Sequence, residues 1–318
     1  MRILFTYLRD YLRENFQVKL YSLVAAFLAL LIYFNFKYDF EDSVIDALYK
    51  GKAIRMLWYF LLYAIPYYLV CGLIALFTDQ KAFLKQKRFW FFSLMGLLIL
   101  GFYRGLYVSH WIAEAFAPNG FAYSYYFRLS EKLKPLLGLL VPLLFVYFFW
   151  HRHSLPHFYG LRPVTWRAIG PYCWILLLMT PLIAWASFQP DFLQEYPTYQ
   201  KAQVAMYARE SQISPTPLIV LYEFAYMTGF FMIELFFRGF LVIGLIRFLG
   251  KEVVLPAAVI YCILHFGKPM AEAISSFFGG YILGVFAYKT ENIYGGIIVH
   301  MGIALMMELF AFGQLAFK

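Results

Sequence analysis

Residues 218–249 read LIVLYEFAYMTGFFMIELFFRGFLVIGLIRFL, an apolar run of 32 residues that contains four charged side chains, Glu223, Glu234, Arg238 and Arg247. An unbroken helix of this length would be roughly 48 Å long, well beyond the roughly 30 Å of hydrocarbon in a bilayer. The run therefore predicts a membrane helix that tilts, kinks or breaks into a span and a second piece. Its charged side chains would lie at membrane depth, where each one needs a partner.

The composition of the whole chain supports a membrane protein. The 318 residues are 63% hydrophobic and 14% charged, against about 45–50% and about 25% in soluble proteins, and the mean hydropathy is +0.65. A soluble chain of this size cannot bury so much apolar surface in one core. The 36 Phe, 27 Tyr and 7 Trp exclude a disordered, collagen-like or coiled-coil chain. Cys71, Cys173 and Cys262 are too far apart in sequence to indicate a disulfide framework or a metal clip.

We predict an all-α fold, a polytopic transmembrane helix bundle of about eight or nine spans, because the apolar runs lack the alternation of a membrane β-barrel. Four regions follow in order. They are an amphipathic interfacial helix at 1–19, N-terminal transmembrane helices at 20–188, an extramembrane loop at 189–217, and a core with a polar intramembrane site at 218–318. One of the expected spans begins at Leu136 and another covers Val253–Phe266.

The net charge is +9, and in a membrane protein the basic residues concentrate in cytoplasmic loops and at the level of the lipid headgroups. We therefore expect the lipid bilayer as a partner, and we do not expect nucleic acid. Basic residues slightly favour the side of the membrane that carries the N-terminus. We therefore expect a multi-pass integral protein of the plasma (inner) membrane with a cytoplasmic N-terminus.

Ionisable residues are concentrated in the last third of the chain. Upstream, the predicted spans hold one clear case, Arg104, which lies near a helix end and could snorkel towards water. Charges at the bilayer centre are costly, so such residues are expected to face the bundle interior and to pair. Together they predict a buried polar site among the last helices, and they are Glu223, Glu234, Arg238, His265, Glu272, His300 and Glu308.

The spacing of these residues suggests the chemistry. Glu234 and Arg238 are four apart and share one helix face. Pro269 is expected to begin a new helix, which would separate His265 from Glu272. Two imidazoles and a carboxylate from different helices suit a divalent metal such as zinc, or a His/Glu pair that activates water. A structural ion pair and a histidine that satisfies a backbone carbonyl are the alternatives.

Three short motifs in this region resemble those of the CPBP family of intramembrane metalloproteases, the CAAX-protease and bacteriocin-processing group. IELFFRGF at 233–240 resembles the EExxxRG signature, YCILH at 261–265 resembles the FxxxH motif, and HMGIA at 300–304 resembles the HxxxN motif. The resemblance covers about residues 215–312 and implies a CPBP-type core. It also implies metal-dependent hydrolysis of a peptide bond in a membrane-embedded or membrane-proximal peptide or protein. His265 and His300 would then hold a divalent metal, with zinc the expected ion, or a water molecule. Glu234 would be a ligand or the base, and Arg238 would fix Glu234.

Two positions depart from the family pattern. The first glutamate of the signature is Ile233 and the asparagine of the third motif is Ala304. Glu234 could take the role of the missing glutamate after a rotation of about 100° around the helix. Glu272, or less favourably Glu223, could supply the carboxylate instead. The remaining possibilities are an inactive CPBP-fold scaffold that binds partner helices, and a proton-coupled transporter that uses the buried Glu and His residues.

Overall fold

A computed structural model describes residues 2–117, 119–189 and 191–317. The chain is 83% helical, and no strand occurs in these three ranges, which confirms the predicted all-α class. The helices are α1 Arg2–Asn15, α2 Val18–Tyr38, α3 Ile54–Phe77, α4 Lys87–Gly105, α5 Val108–Phe116, α6 Gly120–Pro135, α7 Val141–Val146, α8 Trp166–Ser187, α9 Phe192–Glu195, α10 Val204–Glu210, α11 Pro215–Glu234, α12 Ile246–Leu249, α13 Val254–Ile263, α14 Met270–Thr290 and α15 Tyr294–Ala316. Stretches of π-helix cover Phe40–Ala47, Leu136–Leu140, Tyr147–His151 and Leu235–Ile243.

Eight helical segments of the described chain are long and apolar enough to cross a membrane. One of them, Pro215–Ile263, has 49 residues. It folds back on itself, because the rings of Phe237 and Tyr261 lie 4.9 Å apart, whereas 24 residues of continuous helix would separate them by roughly 36 Å. The reversal occurs around Gly250, where φ is +55°. The over-long run at 218–249 is therefore one arm of a helical hairpin.

The returning arm, α13, is the centre of the core. All ten of its residues are buried, and it packs against α3 and α14. Ten residues of helix rise only about 15 Å, half the thickness of the hydrocarbon. The span expected over Val253–Phe266 is thus a short buried helix inside the bundle. Such a helix needs no lipid-facing length, because protein surrounds it on all sides.

The segment Gly120–His151 is helical throughout and begins well before the expected start at Leu136. Its first half carries Arg128, Lys132 and Lys134, and the two lysines have partners within the protein. Nζ of Lys134 lies 2.9 Å from a carboxylate oxygen of Glu131, and Nζ of Lys132 lies 4.6 Å from the ring centre of Tyr226. These contacts stabilise charged residues on a helix that hydropathy alone does not favour.

Helix α1 packs against the C-terminal half of the chain. Tyr11 is buried, and its hydroxyl donates a hydrogen bond of 2.5 Å to the backbone oxygen of Lys251. Nζ of Lys289 lies 3.5 Å from a carboxylate oxygen of Glu14. The apolar face of this amphipathic helix is therefore at least partly covered by protein.

Candidate functional site

The centre of the site is a contact between Glu234 and His300. Glu234 ends α11 and is 0% exposed, while His300 lies in α15 with its side chain 22% exposed. Oε1 of Glu234 lies 3.0 Å from Nδ1 of His300. Because a carboxylate only accepts, Nδ1 of His300 donates this hydrogen bond, and Nε2 carries the lone pair when the ring is neutral. The carboxylate therefore fixes both the orientation and the tautomer of His300.

Arg238 supplies the positive charge beside this carboxylate. Its side chain is 2% exposed, and Nη1 lies 3.0 Å from Oε1 of Glu234. The contact is an ion pair by distance, but no N–H group of Arg238 is aligned as a hydrogen-bond donor to any described residue. The guanidinium carbon lies 4.4 Å from the ring centre of Tyr261. Charge and ring thus hold Arg238 without directed hydrogen bonds, as a cation–π contact allows.

His265 lies in the turn after α13, next to the same tyrosine ring. Nδ1 of His265 donates a 2.8 Å hydrogen bond to the backbone oxygen of Tyr261, four residues earlier. The ring centres of His265 and His300 lie 4.8 Å and 6.4 Å from that of Tyr261. Burial lowers the pKa of His265, which lies outside the helices, to about 4. The imidazole is therefore neutral near pH 7, with the lone pair on Nε2.

The π-helix Leu235–Ile243 positions the first motif. All nine of its residues are buried, and stretches of π-helix are frequent at functional sites. Gly239 lets another part of the chain approach closely, because an added Cβ would lie 2.8 Å from the backbone oxygen of Tyr159. The glycine of the signature is explained by this packing of the 152–165 loop against the motif helix.

Gly296 in the first turn of α15 makes room for Glu234. An added Cβ would overlap Oε2 of Glu234 and lie 2.9 Å from its Cδ. Oε2 is buried and has no hydrogen-bond partner among the residues that the structure describes. A side chain at position 296 would therefore displace the carboxylate from His300. In the sequence this glycine resembled an ordinary packing residue, so it was not expected to belong to the site.

The donors suit a divalent ion only in part. Within 2–117, 119–189 and 191–317, no three His, Cys, Asp or Glu side chains form a group that could hold a metal. Nε2 of His265 and of His300 make no hydrogen bond to a described residue and are typical donors. Oε1 of Glu234 accepts the hydrogen bond from Nδ1 of His300. A carboxylate in this position orients a histidine that binds a metal and is not itself a ligand. These contacts leave at most the two imidazoles, and not Glu234, as ligands for an ion.

The other acidic candidates lie outside this cluster. Glu272 is in the first turn of α14, its side chain is 49% exposed, and its ion-pair partner is Lys268 at 4.0 Å. The helix break between α13 and α14 separates Glu272 from His265. This agrees with the expectation that a new helix begins at Pro269. Both carboxylate oxygens of Glu308 lie 3.1 Å from the backbone nitrogen of Thr198. Glu308 therefore anchors a loop.

Glu223 and the two departures from the family pattern are also placed by the structure. Oε1 of Glu223 is buried and has no hydrogen-bond partner in the described ranges, but no described contact joins Glu223 to Glu234 or His300. Ile233 is partly buried and packs against the apolar core. Ala304 is buried. The carboxylate that meets a histidine is that of Glu234.

Helix α2 supports the His265 turn from the N-terminal half of the chain. Nδ2 of buried Asn35 donates a 3.4 Å hydrogen bond to the backbone oxygen of Phe266. Oδ1 of Asn35 accepts a 3.1 Å hydrogen bond from the backbone nitrogen of Glu41. Glu41 in turn forms an ion pair with Arg104. Arg104, which could have snorkelled towards water, is paired within the protein because the segment after α2 brings this acid to its helix end.

Comparison with known proteins agrees with the motif resemblance. Residues 215–306 match the family model described as type II CAAX prenyl endopeptidase, Rce1-like. This range contains Glu234, Arg238, His265 and His300 and covers less than a third of the chain. No curated protein and no solved structure gives a significant match. The C-terminal half of this integral membrane protein therefore carries an Rce1-like domain, consistent with the CPBP family.

Proposed function

We propose that this protein is an intramembrane endopeptidase that hydrolyses a peptide bond in or near the bilayer. The observation that carries the proposal is the contact of Glu234 with Nδ1 of His300, beside His265, within the Rce1-like domain. A buried carboxylate that orients an imidazole, with the far nitrogen of the ring available, is the arrangement of a general base. The side chain of His300 is 22% exposed, so the imidazole is not sealed inside the protein.

In the proposed reaction, His300 transfers the proton, and Glu234, Arg238 and His265 position and stabilise the reacting groups. Nε2 of His300 accepts a proton from water as the water oxygen forms a bond to the substrate carbonyl carbon. Nδ1 keeps its proton, and the charge of the imidazolium is stabilised by the carboxylate of Glu234, which also contacts the Arg238 guanidinium. The proton then passes from His300 to the amide nitrogen as the C–N bond breaks, which gives a carboxyl and an amine. His265, neutral and 4.8 Å from the Tyr261 ring, orients the water through Nε2.

We further propose that the site binds a divalent metal, with zinc the first candidate. In that case His265 and His300 would hold the ion through Nε2, and Glu234 would orient His300. Nε2 of His300 would then have no lone pair for a proton, so its general-base role belongs to the site without an ion. A bound ion supplies Lewis-acid activation of water and of the carbonyl. Metal content of detergent-purified protein, measured beside the His265→Ala and His300→Ala variants, tests this part. Equal content in all three proteins would disprove it.

The proposed substrate is a membrane-embedded or membrane-proximal peptide or protein segment. Two features support this class. The surrounding helices are long and apolar enough to span a bilayer, and the matched family model is described as a type II CAAX prenyl endopeptidase. We also propose a plasma (inner) membrane location with the N-terminus in the cytoplasm. A cysteine introduced at Lys85 should then react with an impermeant maleimide only in opened cells, above the background of the native thiols.

The test of the activity uses full-length protein in liposomes with a fluorogenic farnesylated CAAX peptide and a matched unprenylated membrane peptide. We expect cleavage to fall at least about 100-fold in His265→Ala and in His300→Ala, since a general base contributes about 10²–10⁴-fold. The matched control is His153→Ala, because His153 is exposed on the 152–165 loop. Wild-type rates in both site variants would refute the proposal.

A catalytically inactive scaffold of the same fold is the second candidate, and Ile233 favours it. Ile233 packs against the apolar core at the place of the signature's first glutamate. This candidate predicts no cleavage by the wild-type protein and measurable cleavage by an Ile233→Glu/Ala304→Asn variant. Cleavage by wild-type protein that depends on His300 would eliminate it.

A further inference from the structure

A cationic cavity lies at the end of the bundle where α4 begins. Its volume is about 300 Å³, and it is lined by Lys87, Arg88, Phe91, Phe92, Trp150 and Arg247. This volume is at the lower end of the range of small-molecule sites. The three cations come from two distant parts of the chain, so the cavity exists only in the folded protein.

The charges of this cavity are not neutralised by the protein. None of Lys87, Arg88 and Arg247 forms an ion pair with a described acidic residue, although several other basic residues do. Glu291 lines a neighbouring cavity together with Arg247 but is not within ion-pair distance of it. Three like charges around one cavity repel each other, and a bound anion would relieve this repulsion.

Two aromatic rings orient the guanidinium of Arg247. Its guanidinium carbon lies 5.1 Å from the ring centre of Phe92 and 4.6 Å from that of Phe248. Phe92 is buried and fixes this wall. An arginine that stacks on rings keeps its planar N–H donors directed outward, which suits phosphate oxygens. The first turn of α4 adds backbone N–H groups, and the side chain of Gln86 does not cap them.

The position of the cavity points to a lipid as the source of the anion. Lys87 is the first residue of one candidate span and Trp150 is next to the last residue of another. Trp150 and Trp90 are about 40% exposed, as expected of tryptophans at the level of lipid headgroups. The exposed rings of Phe91 and Phe145 lie 5.3 Å and 5.7 Å from Trp150. Aromatic surface thus continues from the cations towards the acyl chains.

We propose that this cavity binds the phosphate headgroup of an anionic phospholipid, with Lys87, Arg88 and Arg247 as its ligands. The phosphate oxygens contact the three cations and the first N–H groups of α4, and the acyl chains lie along Phe91, Phe145 and Trp150. The cavity is separate from the Glu234–His300 site, since Arg247 follows Arg238 by nine residues at the far end of the same arm. The proposal does not depend on endopeptidase activity.

The test measures melting of full-length protein in detergent with dioctanoyl phosphatidylglycerol, dioctanoyl phosphatidylcholine or inorganic phosphate. We expect only phosphatidylglycerol to raise the melting temperature in a saturable manner. Arg247→Gln should weaken its apparent Kd about fivefold and Lys87→Gln/Arg88→Gln about thirtyfold. All three residues are exposed, so the variants should melt normally without lipid.

The matched control is Lys81→Gln/Lys85→Gln, which removes two charges at the same end of the molecule but outside the cavity. It should keep the wild-type affinity. Equal weakening in this control would mean that general surface charge attracts the lipid, and the proposal would fail. Stabilisation by phosphatidylcholine or by inorganic phosphate to the same extent would also overturn it, because the ligand would then not be an anionic lipid.

Discussion

Replacing Gly296 with alanine should destabilise this protein, although the same change in most helices has the opposite effect. Alanine normally stabilises a helix interior by about 0.5–1 kcal/mol relative to glycine. At position 296 the new methyl group would overlap Oε2 of Glu234 and lie 2.9 Å from its Cδ. Glu234 is 0% exposed, so its carboxylate cannot move out into solvent. The carboxylate must rotate away from His300.

The magnitude follows from the two contacts that this rotation disturbs. A hydrogen bond with a charged partner contributes about 1.5–3 kcal/mol, and the contact to Nδ1 of His300 is of this kind. Loss of one partner of a buried ion pair costs about 3–5 kcal/mol, and displacement of Glu234 from Arg238 should cost a fraction of that. After subtraction of the helix gain, we expect a net loss of about 2–4 kcal/mol. The melting temperature should fall by several degrees.

The assay is thermal melting of detergent-purified protein, with peptide cleavage as a second readout that should also be lost. Gly279→Ala is the matched control, because an added Cβ there has no neighbour within 4 Å. It should leave the melting temperature unchanged or slightly raised. In a Glu234→Ala background, Gly296→Ala should cost nothing further, since the colliding carboxylate is gone. The reasoning is refuted if Gly296→Ala melts at or above the wild-type temperature.

Three further outcomes are expected. Asn35→Ala should lower stability by about 1–3 kcal/mol in thermal melts, since it leaves the backbone oxygen of Phe266 without this donor; an unchanged melt would contradict support of the His265 turn from α2. Gly239→Ala should cost about 1–3 kcal/mol through overlap with the backbone oxygen of Tyr159, whereas Gly170→Ala, which has no such neighbour, should be neutral. Chelation should abolish cleavage, and added zinc should restore it. Full activity after exhaustive chelation would contradict the metal proposal and would mean that the histidines act without a metal.

Hydropathy and polar spacing were sufficient to predict much of the site. Glu234, Arg238 and His300 are costly residues in apolar helices, so each was expected to have a partner, and in the structure Arg238 and His300 both contact Glu234. The same argument did not distinguish the residues of the site from Glu308 and Glu272. Glu308 accepts a hydrogen bond from a backbone nitrogen, and Glu272 is exposed near the start of a helix. A buried charge signals that a partner exists, but it does not identify that partner.

Residues without charge gave no such signal. Tyr261 packs beside Arg238, His265 and His300, yet a tyrosine in an apolar helix usually belongs to the core. Its spacing of four from His265 was the one indication, because residues four apart share a helix face. Gly296 resembled an ordinary packing glycine. Its role depends on the distance to a side chain 62 residues earlier, which no local pattern encodes.

The amino-acid sequence by itself determined that this chain is a helical membrane protein with a polar site in its last third, because hydropathy and helix length are local properties of consecutive residues. Only the tertiary structure decided that residues 215–263 fold back as a hairpin, that α13 is a short buried helix, and that Glu234 orients His300. Each of these depends on which distant side chains meet, and that depends on shape and on the exclusion of overlapping atoms. These constraints act between helices and are absent from the pattern along any one of them.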